Sequence, residues 1–131
     1  MSLAKKKIIV KEYQLEIGKI QVYNTHMVSI FNEGVTLTLE RVYQIIGIAE
    51  IHFKNKPFGY VSYRKNSYAV DPTIYSHLRE LNNLKGFAIV SVNEIDMHNF
   101  NIEKLFYKKA MKFYIEYDNA IAWIKRRVKT K

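Results

Sequence analysis

Residues 85–92 read KGFAIVSV, and this stretch decides the fold. From Phe87 onward its side chains are apolar on nearly both faces, which is the composition of a central strand in a parallel sheet. Such a strand is stable only when other elements cover both of its faces. The stretch therefore predicts a central parallel strand of an α/β sheet.

The segment before it supplies a second strand and a helix. Residues 58–63, FGYVSY, read as a short buried strand. Asp71 and Pro72 predict a helix start, because the carboxylate accepts bonds from free backbone amides and proline suits the first helical position. Apolar side chains up to Leu81 continue that helix until Asn82 and Asn83 end it.

Further toward the amino terminus, residues 38–53 predict a helix that Thr38 caps. Residues 11–24 and 26–31 predict the two strands of an amino-terminal hairpin. Beyond the central strand we expect a helix over about residues 99–110, a strand from Met111 to Tyr117 and a last helix capped by Asp118. The predicted order is β-β-α-β-α-β-α-β-α, an α/β layer in one domain over residues 1–131.

Charge and composition narrow the class of protein. The chain has 21 basic and 12 acidic residues and no cysteine, which excludes disulfides, zinc–thiolate sites and thiol nucleophiles. Eight of the basic residues lie in residues 1–7 and 125–131, which we interpret as short solubilising tails. Because the rest is nearly neutral, nucleic-acid binding through the tails is not favoured. No segment has the length of a membrane span or a signal peptide, and we expect a cytoplasmic protein.

The element order over nearly the whole chain resembles the SpoIIAA-like, or STAS, fold of bacterial anti-sigma-factor antagonists. More narrowly, GYVSYRKNSYAVDPTIY (59–75), KGFAIVSV (85–92) and YDNAIAWIK (117–125) are similar to small SpoIIAA-like proteins of Bacteroidetes. The resemblance implies a two-layer or three-layer domain, with an amino-terminal hairpin, a mixed sheet and helices packed on it. It also implies a regulatory role and places phosphorylation candidates at Ser67 and Thr73, although the family's Asp-Ser motif is missing.

Residues 64–75, RKNSYAVDPTIY, are the candidate functional segment. They join a strand to a helix and combine exposed cations with hydroxyl, amide and tyrosine side chains, which suit an interface. Binding of a phosphoryl group there is not favoured, because the Asp71 carboxylate already occupies the helix start. We expect a structural junction whose surface docks a protein partner. The candidate contact residues are Arg64, Asn66, Ser67, Tyr68, Asp71 and Tyr75.

Catalytic and metal chemistry find no support in the sequence. The four histidines stand singly, and no P-loop, GxGxxG or GxSxG motif occurs. Glu94, Asp96 and Glu103 gather after the central strand, but no base, nucleophile or metal partner accompanies them. We therefore predict a non-catalytic domain without cofactor or metal. Binding of a small molecule or lipid is the alternative function, and a homodimer and a small hydrophobic ligand stay open as partners.

Overall fold

The structure, a computed structural model, describes residues 9–66 and 68–129. Eight strands and four helices follow one another in the described ranges. The strands are β1 (Lys11–Leu15), β2 (Gly18–Val22), β3 (His26–Phe31), β4 (Thr36–Leu37), β5 (Phe58–Tyr63), β6 (Ala69–Val70), β7 (Leu84–Val90) and β8 (Met111–Tyr114). The helices are α1 (Leu39–Phe53), α2 (Tyr75–Leu78), α3 (Glu94–Tyr107) and α4 (Tyr117–Lys129), with a 3₁₀ turn at Pro72–Ile74.

Six of the strands form one mixed sheet in the order β1-β2-β3-β5-β7-β8. The first three are antiparallel neighbours, whereas β3, β5, β7 and β8 run parallel. The remaining strands, β4 and β6, pair with each other in a separate two-stranded ribbon. The prediction of an α/β domain with a mixed sheet is confirmed, and β7 lies between two parallel strands as its apolar sequence indicates.

Helices cover both faces of the sheet, so the fold has three layers. Along β7, Phe87 and Ile89 belong to one hydrophobic core with α1, α2 and Tyr107 of α3. Ala88 and Val90 belong to a second core with α4. The alternation follows from the two-residue period of a strand, and it explains why this segment is apolar on both sides.

Helix α4 approaches the sheet closely where β5 carries Gly59. A Cβ atom on Gly59 would lie 2.4 Å from Cγ2 of Ile124, a side chain that is completely buried. The absence of a side chain at residue 59 is therefore what allows Ile124 to pack on β5.

Several element boundaries differ from the sequence predictions. The predicted hairpin is a three-stranded meander, because the chain turns at residues 16–17 and β2 begins at Gly18, whose φ of 142° is suited to glycine. Helix α3 begins at Glu94 and not near Asn99. The helix expected after Asp71 consists only of a 3₁₀ turn followed by a single α-helical turn.

The predicted carboxyl-terminal tail is also wrong as far as Lys129, because these residues continue helix α4. Arg127 holds this end of the helix against the sheet, since its Nε donates to the Lys85 carbonyl at 3.0 Å. Residues 130 and 131 and the predicted tail at residues 1–7 lie outside the described residues.

Candidate functional site

The candidate site begins where β5 ends, at Arg64. The backbone N–H of Arg64 donates to the Val90 carbonyl at 2.8 Å, so the residue stays attached to the neighbouring strand β7. The Arg64 side chain lies in the interior, where it is 4% exposed. The sequence prediction of an exposed cation at residue 64 is therefore wrong.

Arg64 forms a two-point ion pair with Glu103 of α3. Its Nη1 and Nη2 donate to the two carboxylate oxygens at 3.0 and 2.7 Å, and its Nε donates to Ser62 Oγ at 3.0 Å. Bidentate pairing of this kind is among the strongest charge-assisted contacts in proteins. Because both groups are buried, each depends on the other to offset the loss of its hydration.

Two tyrosines complete this arrangement. The Tyr75 hydroxyl donates to Glu103 Oε1, and the Tyr68 hydroxyl is hydrogen-bonded to Ser62 Oγ at 2.7 Å. The Arg64 guanidinium also lies over the Tyr68 ring, 5.4 Å from its centroid. We call this set the buried network, and its members are Ser62, Arg64, Tyr68, Tyr75 and Glu103.

Electrostatics keep the phenols of the buried network protonated. Burial raises the pKa of Tyr75 well above its ordinary value, and the neighbouring Glu103 charge raises it further. Burial also raises the pKa of Tyr68, against the opposing effect of Arg64. A phenol that does not ionise near neutral pH can donate a hydrogen bond but cannot act as a base. The contacts within the buried network therefore suit a structural role.

Helix α3 brings Glu103 to this place by burying its polar face. Asp96, Glu103 and Tyr107 are the buried residues of α3, and Asp96 accepts a hydrogen bond from Ser91 Oγ at 2.6 Å. The spacing of seven between Asp96 and Glu103 places both carboxylates on one side of the helix. Sequence reasoning placed Glu103 near the sheet end but missed its pairing with Arg64, and this spacing is the signal that could have pointed to it.

A surface cleft of about 200 Å³ lies between β6 and α3, above the Arg64–Glu103 pair. Strand β6 pairs with β4 on its other side, because the N–H groups of Ala69 and Asp71 both donate toward β4. We call this feature the α3 cleft. It is lined by Arg64, Tyr68, Ala69, Val70, Pro72, Asn99, Ile102 and Glu103.

The structure places the remaining predicted residues around the junction. Asn66 donates from Nδ2 to the Phe31 carbonyl at 3.0 Å, which fixes the loop to the end of β3. Tyr75 is 1% exposed and belongs to the interior. Ser67 lies outside the described residues. That these residues contact a partner remains a prediction.

Asp71 caps the turn that follows it, as predicted. Its Oδ1 accepts from the Thr73 backbone N–H at 3.0 Å and from the Thr73 hydroxyl at 2.8 Å. These two bonds, the hydroxyl bond first, lower the pKa of Asp71. A phosphoryl group on Thr73 would lose the hydroxyl bond and meet the Asp71 carboxylate, so the geometry does not favour phosphorylation there.

We expect Asp71→Ala to lower the unfolding temperature at pH 6 by about 3 °C, because the turn loses its acceptor. Since the pKa of Asp71 is lower in the folded protein, its stabilisation is present above its ordinary value of 3.8 and is lost as the pH falls through the folded value. Thermal unfolding between pH 2 and 7 measures this, and the variant and wild type should converge at the acidic end. Asp71→Asn, which keeps an acceptor without a charge, is the control; equal losses in both variants would contradict the capping role.

The interior cavity near the buried network is small. Its volume is about 20 Å³, and its walls include Tyr60, Ser62, Ile74 and Phe87. A water molecule needs roughly 10–15 Å³ by this measure, so the cavity holds about one water and no acyl chain. The geometry thus gives less support to lipid binding than to docking at the surface.

Within residues 9–66 and 68–129, no group of three or more histidine or acidic side chains is arranged to hold a metal ion. None of the helices in these ranges is both long enough and apolar enough to span a membrane.

Comparison of the chain with protein-family models, with curated proteins and with solved structures finds no match to any of them. The geometry of the α3 cleft and of the buried network beneath it is therefore the basis for assigning a function.

Proposed function

We propose that this protein is a non-catalytic docking domain that binds a protein partner in the α3 cleft. The observation that carries the proposal is that a cleft with apolar walls lies directly on a buried network whose polar groups bond to one another. Such a floor supplies a fixed shape without offering a reactive group. A pre-organised protein interface requires a fixed shape and an apolar contact area.

The walls of the α3 cleft support a protein partner over a small metabolite. Ala69 is exposed and Val70 and Pro72 are half-buried on one side, while Asn99 and Ile102 line the other. The apolar side chains suit an apolar side chain of the partner as an anchor, and the one amide suits a hydrogen bond to the partner's main chain. The order of strands and helices, with helices on both sheet faces, supports the further proposal that the domain is STAS-like. By analogy with that family we propose that it acts as a cytoplasmic regulator.

A photocrosslinking amino acid at residue 69, in cells of the source organism, tests the proposal by identifying the bound protein. The purified partner is then titrated against Ala69→Lys and Asn99→Lys, which place a charge in the α3 cleft. We expect each variant to weaken binding at least about 10-fold, because a buried lysine in an apolar contact loses its hydration.

Ile51→Lys is the matched control, since Ile51 is 69% exposed on α1 and away from the α3 cleft. It should bind as wild type does, and all three variants should unfold at nearly the wild-type urea concentration because the substitutions lie on or near the surface. A partner that binds Ala69→Lys and Asn99→Lys with unchanged affinity would refute docking in the α3 cleft.

A further inference from the structure

Helix α3 carries a row of apolar side chains on the side that faces away from the sheet. Ile95 is 57% exposed, Ile102 is 44% exposed and Leu105 is 72% exposed. Such exposure results from the burial of Asp96 and Glu103, which turns the polar side of the helix inward. An exposed apolar row on an otherwise packed helix is typical of a surface that another element covers.

The spacing of this row is that of a coiled-coil seam. Ile95, His98, Ile102 and Leu105 follow one another at intervals of three, four and three, as a and d positions of a heptad do. We call these four residues the α3 seam. All four are exposed, so the α3 seam is open to a second helix along its whole length.

We propose that the occupant is the same helix of a second copy of this chain, packed antiparallel about a twofold axis near Phe100. In an antiparallel pair each a position faces a d position of the partner. Ile95 then faces Leu105 of the other copy, and His98 faces Ile102, with the same contacts repeated by symmetry. One axis satisfies all four pairings, because residues 95 and 105 lie equally far from residue 100, and so do residues 98 and 102.

Charge complementarity argues for the second copy and for this direction. Glu94 and Lys108 are exposed and lie at the two ends of α3, Glu94 as its first residue and Lys108 as its C-cap residue. The proposed axis brings Glu94 of one copy beside Lys108 of the other, twice in each dimer. Parallel packing would instead place Glu94 level with Glu94 of the other copy, and Lys108 level with Lys108. These like charges would oppose association.

Ile102 belongs to both the α3 cleft and the α3 seam, so the proposed dimer would cover one wall of the cleft. The two proposals still fail separately, because Leu105 does not line the α3 cleft and Ala69 is not a member of the α3 seam. A contact through one helix pair is small, so the dissociation constant should be on the order of 10–100 µM. Sedimentation equilibrium of the full chain, from about 5 to about 500 µM, spans that value.

We expect Leu105→Lys to weaken the wild-type dimer at least about 10-fold, because a lysine would replace an apolar contact at both ends of the seam. Ile51→Lys, which changes an exposed residue of α1, should dimerise as wild type does. A wild-type chain that stays monomeric over the whole range, or an undiminished dimer in Leu105→Lys, overturns the proposal. Monomers that bind phosphatidylserine vesicles through Leu105 also overturn it and assign the row to a membrane surface.

The pairing of Glu94 with Lys108 has its own test. Glu94→Lys and Lys108→Glu should each weaken self-association, because each creates two like-charge contacts per dimer. Mixing the two variants should restore the dimer as a heterodimer, and the doubly reversed Glu94→Lys/Lys108→Glu chain should dimerise as wild type does. Failure of both to recover association would overturn the antiparallel arrangement, and native mass spectrometry of the mixture identifies the heterodimer.

Discussion

Glu103→Leu is expected to reduce the free energy of unfolding by about 4 kcal/mol, because it leaves the Arg64 guanidinium buried without its counter-ion. Arg64 is 4% exposed, so water in the α3 cleft reaches the guanidinium too little to replace the lost carboxylate. The Tyr75 hydroxyl would lose its acceptor as well. Urea unfolding followed by circular dichroism measures the loss.

The double variant Arg64→Met/Glu103→Leu separates the ion pair from simple packing. Replacing both partners by apolar side chains removes the uncompensated charge, so the double variant should recover most of the stability lost in Glu103→Leu. If the losses in the free energy of unfolding caused by the two substitutions instead add, the stability at this place comes from packing and not from charge pairing. If Glu103→Leu unfolds no more easily than wild type, the buried network has no stabilising role.

The same comparison bears on the proposed function. The Arg64–Glu103 pair is the floor of the α3 cleft and connects β5 to α3. A double variant that is stable but binds the partner poorly would indicate that the ion pair sets the shape of the cleft. A double variant that binds as wild type does would place recognition on the walls at Ala69 and Asn99 alone.

Gly18→Ala is expected to reduce the free energy of unfolding by about 3 kcal/mol or more, since strain and overpacking act together. Its φ of 142° lies in a region that side chains rarely adopt. A Cβ atom there would also lie 2.4 Å from the Ile30 carbonyl oxygen and 2.6 Å from Phe31 Cα. Because both neighbours are backbone atoms of β3, they cannot move aside without disturbing the pairing of β2 with β3.

Gly34→Ala is the matched control for Gly18→Ala. Gly34 also has a positive φ, 81°, but an added Cβ would meet nothing within 4 Å. It should lose only about 1–2 kcal/mol, the cost of a left-handed conformation for alanine. Urea unfolding of both variants measures the difference, and equal losses would show that backbone conformation alone determines the effect at Gly18.

The sheet could be predicted from the sequence because local patterns carry most of its information. KGFAIVSV requires cover on both faces, and Asp71 with Pro72 indicates a helix start without reference to any distant residue. The extra turn at residues 16–17 was missed because residues 11–24 alternate on both sides of it. A period of two does not reveal where a strand reverses.

The candidate site depended on contacts that the sequence does not encode locally. Arg64 and Glu103 are separated by 39 positions, and nothing near either one predicts the other. The usual assumption that apolar residues face inward predicts the wrong buried face for α3, because Ile95, Ile102 and Leu105 are exposed to solvent. The face of a helix that is buried depends on the side chains of the neighbouring elements. Here Ser91 hydrogen-bonds to Asp96, and Arg64 forms an ion pair with Glu103.

The sequence by itself determined the layered α/β architecture, the internal character of the strand within residues 85–92 and the cap at Asp71, because periodicity and capping act over a few residues. Only the tertiary structure decided that Arg64 is interior, that α3 buries its carboxylates, and that a cleft and an apolar seam flank the same helix. The reason is physical: the cost of burying a charge is set by the partner that meets it, and the packing of β5 against α3 supplies that partner.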